Sequence, residues 1–291
     1  MTAALARQDS TAAPSSAIDI ERCLRARAPR AFAVEVVATT GSTNSDLADR
    51  ARNAAFTGPV LRAAHHQSAG RGRLGRQWLG SDGGSLLFSV ALPWRRAPAA
   101  SAAVTLACAV GAARCLRGHG AAVMLKWPND LLFDGAKLGG LLTELVEDRA
   151  GRRTLIVGLG LNLAIDAPVR ESVDQPVAEL AGALGREAVL GARAAWLAWL
   201  ADALLDAAQH YDACGLADFL EDFNDWFAWR GLPVQVDAGG GAATTGVALG
   251  IDRQGQLLVE GANGTSVFGS GEIRLRRMGA AAVNAGGESM Q

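Results

Sequence analysis

Lysine is nearly absent. Of the 28 basic residues in this 291-residue chain, 26 are arginine, and only Lys126 and Lys137 are lysine. A chain this biased uses guanidinium wherever a generic positive charge serves. Two compact ammonium groups nevertheless remain, eleven residues apart. Arginine cannot copy a rotatable point charge at a tight oxygen site, so at least one of the two is expected to be a working residue. An excess of either charge is also missing. The basic residues face 29 acidic ones, for a formal net charge of −1, which gives no support for bulk binding to nucleic acid or to anionic membrane. The four cysteines, Cys23, Cys108, Cys115 and Cys214, form no C-x-x-C pair. They read as reduced thiols of a cytosolic protein rather than a disulfide scaffold. The opening MTAALARQDSTAAPSS lacks the basic start and apolar run of a secretory signal. One uncharged, Ala-rich stretch lies between Arg96 and Arg114. It starts at a proline and falls short of the roughly 20 residues of a membrane span, so it reads as a buried helix.

What remains is a globular composition, 49% hydrophobic and 20% charged, long enough to bury about three quarters of its unfolded surface without staples. Residues 1–31 read as a flexible N-terminal extension with one short helix over 18–30. A first domain is expected over 32–230. Strands are predicted at 32–37, 60–64, 86–92, 122–127 and 154–163, with a hairpin of 131–133 and 138–147 about Asp134-Gly135. Helices are predicted from Ser45, over 99–116, over 187–212 and over 216–230. The last two carry Trp196, Trp199, Trp226 and Trp229 at helical spacing, which reads as core. After Gly231 the composition shifts to short strands between glycines, a small β-barrel over 231–278. Residues 279–291 read as a disordered tail.

Four segments carry chemistry. Residues 70–75 match G-x-G-x-x-G, yet His65-His66-Gln67-Ser68 is no buried strand and no helix follows, so a dinucleotide turn is rejected. Gly70 and Gly72 instead let the backbone approach a ligand. Arg71, Arg73 and Arg76 surround it with guanidinium forks that match carboxylate and phosphate. Trp78 offers a flat face. The competing reading is an exposed basic loop for nucleic acid. The second segment is Lys126-Trp127-Pro128-Asn129-Asp130 with Lys137 beyond it. Asp130 can hold Mg²⁺ at a triphosphate, since that ion takes one or two carboxylates plus phosphate oxygens. Taken alone, Pro-Asn-Asp is a turn. The third is Gly158-Leu159-Gly160-Leu161-Asn162, where glycines in a strand mark close backbone approach. Asn162 can pair with an adenine edge or make a structural hydrogen bond. The fourth, Gly41-Ser42-Thr43-Asn44, is either a helix cap or a polar-ligand site.

Together GSTN, QSAGRGRLGRQW, KWPND with its hairpin lysine, and GLGLN resemble the biotin protein ligases, over about residues 33–277. The resemblance implies an α+β, class II synthetase-like catalytic domain on a mixed, mostly antiparallel sheet, with a small SH3-like C-terminal barrel. It implies a ligase that joins biotin to ATP with Mg²⁺ as biotinyl-5′-AMP, then biotinylates a lysine of a biotin carboxyl carrier protein. Carried onto this chain, Ser42, Thr43, Asn44 and Gln67 bind the biotin end. Gly70, Arg71 and Gly72 close over its tail and carboxylate. Arg73 and Arg76 manage the phosphates, and Trp78 and Asn162 face the adenine beside Gly158. Lys126, Asn129 and Asp130 lie near phosphate and metal. Lys137 stabilises charge at the reacting carboxyl, and Arg276 reaches the nucleotide. Lys137, Arg71, Arg73 and Asp130 are the expected catalytic set, with Asp130 as metal ligand or as base for the acceptor lysine. Only 41 residues precede Ser42, too few for a winged helix-turn-helix, so the expectation is a monofunctional cytoplasmic ligase with no nucleic acid or membrane partner, able to form a homodimer. A lipoate ligase would use the same chemistry on a different acid.

Overall fold

A computed structural model of the chain describes residues 16–27, 32–237, 243–269 and 274–277. The disordered tail expected over 279–291 and most of the flexible N-terminal segment, residues 1–15, lie outside these residues. The first structural unit alternates strands and helices: α1 (Ala17–Arg27), β1 (Ala33–Thr40), α2 (Thr43–Asn53), β2 (Val60–Gln67), β3 (Ser85–Trp94), α3 (Val104–Gly118), β4 (Met124–Lys126), β5 (Asp130–Phe133), β6 (Ala136–Glu147) and β7 (Arg153–Asn162). Helices α4 (Ala167–Glu171), α5 (Leu180–Leu184), α6 (Arg186–Gly191), α7 (Arg193–Cys214) and α8 (Leu220–Trp226) follow. The strands form one seven-stranded sheet in the order β1-β2-β3-β7-β6-β5-β4. Only β1 and β2 run parallel; the other neighbours are antiparallel. This is the mixed, mostly antiparallel sheet that was expected. A second, five-stranded antiparallel sheet holds β8 (Pro233–Asp237), β9 (Thr244–Ile251), β10 (Leu257–Gly261), β11 (Gly264–Phe268) and β12 (Arg274–Arg277), in the order β11-β10-β9-β8-β12.

The faces of the large sheet are buried by different helices. β3 is apolar at nearly every position, as a central strand covered on both sides must be. One face packs Leu86, Phe88, Val90 and Leu92 with α3 and α7. Gly111 lets those helices approach, because a Cβ there would stand 2.8 Å from the Ala207 Cβ and 2.9 Å from the Ala203 carbonyl. The other face packs Ala91, Val146 and Ile156 under Leu47, Ala48 and Ala51 of α2.

Several boundaries differ from expectation. The N-terminal extension is not flexible throughout: α1 packs on α7, with Ile20 wholly buried in the core. Helix α2 starts at Thr43 rather than Ser45, because Ser42 is still extended (φ −160°, ψ 130°) and serves as N-cap. The predicted helix over 187–212 is broken at Ala192, between α6 and α7. Helix α8 stops at Trp226 because Phe227 turns away to bridge Leu125, and Ala228 N–H donates to the Leu125 carbonyl. The hairpin turn at Asp134-Gly135 has positive φ at both residues (48° and 73°), as a two-residue loop of this hand requires.

Asp148 pins the turn between β6 and β7. Its buried carboxylate accepts the backbone N–H of Ala55, Ala150 and Arg152 and the Arg152 guanidinium. The Ala55 N–H is the largest cause holding this carboxyl well below the usual aspartate range. A depressed carboxylate stabilises the fold above its unfolded pKa of about 3.9 and loses that effect as pH falls. Asp148→Asn therefore lowers the denaturant midpoint at pH 7, and the gap to wild type narrows on going from pH 5 toward pH 3. A gap that stays constant over that range refutes the assignment.

Candidate active site

A cleft of about 770 Å³ opens where the N-terminus of α2, the end of β2, the Arg-rich loop, β4–β7 and β12 meet. Every residue singled out from the sequence lines it, except Gly70. Gly70 lies behind the lining, accepting the Trp78 N–H, where a Cβ would stand 2.4 Å from the Trp78 carbonyl.

The first wall is polar and prearranged. Thr43 N–H and hydroxyl both reach Gln67 Oε1, at 2.8 and 3.1 Å. The Thr43 hydroxyl lies 2.7 Å from that of Ser89, which in turn donates to Asn44 Oδ1 at 2.6 Å. Asn44 Nδ2 donates to the Leu142 carbonyl and to Glu144 Oε2. Gly158 makes room for this network, since a Cβ there would meet Asn44 Oδ1 at 2.3 Å. The Ser42 hydroxyl makes no capping bond to α2 and lines the cleft, so its N-cap position does not exhaust it.

The Arg-rich loop closes on itself as a small hairpin. Gly72 N–H donates to the Arg76 carbonyl at 2.7 Å, and Trp78 N–H to Gly70 at 2.9 Å. Its root is seated on β7, where the Trp78 indole covers Gly160 so closely that a Cβ would stand 2.4 Å from the ring. The buried Trp78 Nε1 has no partner. Arg71 is already engaged: its Nη2 lies 3.1 Å from Glu144 Oε1 and its Nη1 donates to the Ser45 hydroxyl at 3.2 Å. Arg73 also lines the cleft. Burial pushes its pKa down, and the charge of Asp130 opposes that shift.

The opposite wall carries both lysines. Asp130 lies between them, with Lys137 Nζ 2.8 Å from Oδ1 and Lys126 Nζ 3.5 Å from Oδ2. A one-residue register shift creates this arrangement. Asp130 faces Gly140, but beyond Leu131 the pairing slips so that Leu132 faces Lys137. A bulge of one residue inverts which side chains share a face, so Lys137 joins Asp130 while Leu138 turns into the core. Each ammonium also stands over an indole: Lys137 is 5.6 Å from the Trp78 centroid and Lys126 is 4.7 Å from that of Trp229. Burial pushes the Lys126 amine down; Asp130 opposes this, while Lys137 and Arg76 add to it. Asn129 donates its amide to the Leu141 carbonyl at 2.8 Å, and Asn162 donates to that of Ala178 at 3.1 Å. Asn162 thus makes a structural hydrogen bond and also lines the cleft. Arg276 is exposed on β12 at the rim.

Asp130 offers a metal one carboxylate, whose oxygens both face ammonium groups. Among the described residues, the one group of three metal-ligating side chains, His210, Cys214 and Asp218, is not in the cleft lining. That donor set suits Mg²⁺ arriving on a triphosphate, which keeps most of its oxygen ligands from phosphate and water, and does not suit a resident ion.

Sequence reasoning missed Ser45, Ser89, Glu144 and the 172–177 segment, which lines the far side and pairs with Lys137 through Pro176 and Ala178. Ser89 and Glu144 left a signal, as polar residues within the largely apolar runs LLFSVAL and LLTELV, where a buried polar atom needs a partner.

Residues 36–162 match the Biotin/lipoate A/B protein ligase family, and residues 231–276 match the Biotin protein ligase C terminal domain. The chain is 32% identical over 245 residues to the bifunctional ligase/repressor BirA of Escherichia coli, covering 84% of this chain and 74% of that protein. It is 32% identical over 255 residues to the biotin–[acetyl-CoA-carboxylase] ligase of Mycobacterium tuberculosis, covering 82% and 88%. The chain belongs to the biotin protein ligase family. A biotin protein ligase from Aquifex aeolicus, solved in complex with biotin and ATP, shares the fold with a TM-score of 0.65 at 23% identity over 84% of this chain and 99% of that one. Among the described residues no helix is long and apolar enough to cross a membrane.

The glycines of β7 give this biotin protein ligase cleft its depth, and one of them is directly testable. Gly160→Ala expels the Trp78 indole and costs about 1–3 kcal/mol through overpacking. The indole N–H resonance of Trp78, assigned by its loss in Trp78→Phe, moves in the Gly160→Ala protein. A resonance left in place shows that the ring does not rest on Gly160.

Proposed function

We infer that the chain ligates biotin to a carrier lysine through an acyl-adenylate. The carboxylate oxygen of biotin attacks the α-phosphorus of ATP, and the bond to pyrophosphate breaks. The amine of the acceptor lysine then attacks the acyl carbon, and AMP leaves. The supporting observation is the convergence of Lys137, Asp130 and the Arg-rich loop on one cleft in a chain of this family. Two anions about 4 Å apart repel by roughly 4 kcal/mol at an effective dielectric of 20, so an acid and a phosphate meet only where cations are fixed in advance.

In this reading Ser42, Thr43 and Gln67 hold the polar head of biotin. Arg71 takes the carboxylate, Arg73, Arg76 and Arg276 the phosphates, and Trp78 the adenine. Lys137 stabilises charge that develops as the carboxyl oxygen binds phosphorus. Mg²⁺ neutralises the phosphates it arrives with, and Asp130 stands beside them. The amine of the second step is mostly protonated near pH 7, having a free pKa of about 10.4, and this reading gives Asp130 the role of the base that takes its proton. The acceptor is a carboxyl carrier domain of a biotin-dependent carboxylase, and the reading assigns the reaction to the cytoplasm.

Biotin-dependent pyrophosphate exchange tests the reading, with lipoate as competitor. Wild type exchanges with biotin and resists lipoate. Lys137→Ala lowers exchange by about 10²–10³-fold, the scale of removing one fixed stabiliser of transition-state charge. No exchange in wild type, or full exchange in Lys137→Ala, refutes it. In the same assay Arg73→Gly forms adenylate but lets it escape, seen as biotin on bystander lysines; an adenylate retained as in wild type rejects the role given to Arg73.

A further inference from the structure

We propose that Glu144 is a positioning residue for the acid-binding end of the cleft, aiming Arg71 by occupying one edge of its guanidinium. This rests on the biotin ligase reading and deepens it. Glu144 lies on β6 with a side chain only 22% exposed. It joins two of the sequence motifs. Its Oε2 accepts from Asn44 of α2 at 2.9 Å, and its Oε1 lies 3.1 Å from Nη2 of Arg71 in the loop. Ser45, next to Asn44, takes Nη1 of Arg71 from the helix side at 3.2 Å.

The choice of nitrogens decides what is left. A guanidinium presents five N–H groups in a rigid plane. Glu144 faces Nη1 and Nη2, the end-on pair, with the second oxygen at 3.5 Å. The side-on pair, Nε–H and the remaining Nη2–H, stays parallel and unused by Glu144. That edge matches a second carboxylate in the bidentate manner such forks favour. Glu144 therefore fixes the plane of the fork before substrate arrives and turns its other edge to the incoming acid. Without it, Arg71 must be ordered by the substrate itself.

Three readouts test this in Glu144→Gln, which keeps an oxygen for Asn44 and removes the ion pair. In the ligand-free protein, trypsin cuts after Arg71, Arg73 and Arg76 about three- to fivefold faster than in wild type, the loss expected of one partly exposed ion pair. In pyrophosphate exchange the KM for biotin rises by a similar factor, while kcat and the KM for ATP change by less than about twofold, as when binding alone is lost. In the Arg71→Ala background, Glu144→Gln adds no further effect on biotin KM, because the two residues act as one unit. Unchanged proteolysis, equal changes in both KM values, or additive effects with Arg71→Ala overturn the proposal. The trypsin arm needs no substrate, so absent exchange in wild type defeats the ligase reading without deciding the role of Glu144.

Discussion

The cleft depends on how β6 is gripped. Its partner β5 follows it only as far as Gly140, so the rest of that edge has no neighbouring strand of the sheet. Three asparagines reach β6 or the segment beside it. Asn129 donates to the carbonyl of Leu141, Asn44 to that of Leu142, and Asn162 lies 3.5 Å from that of Lys137 while bonding the adjoining segment at Ala178. Each asparagine belongs to a different motif, and each ends on or beside β6. A buried carbonyl without a donor is costly, so these amides fix the backbone that carries Lys137 at one end and Glu144 at the other. The motifs are joined through this strand before any ligand is bound.

That scaffold makes a concentrated charge tolerable. Lys126, Lys137, Arg73 and Arg76 line one cleft, and burial pushes the Lys126 amine down. Asp130 opposes this, standing between the two ammonium groups. Trp78 and Trp229 each turn a π-face to one of them, an attraction that strengthens as water is excluded. The two rings come from opposite directions, one from the loop over β7 and one from the chain that leads into the second sheet. Trp127 adds a third link by donating its Nε1–H to the Gly255 carbonyl in the turn between β9 and β10. The electrostatics of the lysine pair are thus set partly by elements distant in sequence, and the small sheet contributes to the cleft through more than Arg276.

The sequence was readable where chemistry is compressed into short, composition-biased runs. Two lysines among twenty-six arginines, glycines inside an apolar strand and Asp-Gly between alternating residues each have one main physical cause, and each marks the element the structure contains. Element ends were harder to read. Nothing local stops a helix at Trp226; the chain leaves it because Phe227 finds a partner in Leu125, almost exactly a hundred residues earlier. The same limit applied to the asparagines. An amide in a motif looks alike whether it will bind an adenine or a carbonyl, and its partner is chosen by tertiary approach. Asn162 is the clearest instance, its Nδ2 taken by backbone. Glu144 is the converse, an acid in a largely apolar strand whose contact with Arg71 appears only once Arg71 folds back across about seventy residues to meet it.

The Arg-rich loop has an anchored root and an exposed tip, as the proposed reading requires of a loop that would admit substrates and enclose an intermediate. Trp78 on Gly160 and Arg71 on Glu144 anchor its two strands. Internal bonds from Gly72 to Arg76 and from Gly70 to Trp78 make the intervening residues a unit. At the tip, Leu74 is 44% exposed and, with φ of 56°, lies with Gly75 in the left-handed region. A leucine in that conformation gives up local backbone preference of order 1–2 kcal/mol, and its exposed side chain recovers little by burial. The tip is therefore the least committed part of the cleft, while Arg73 beside it reaches inward toward Asp130. In the proposed reading, a small movement at Leu74 would shift Arg73 without disturbing Arg71, so that one arginine would hold the acid on arrival and the other would retain the mixed anhydride.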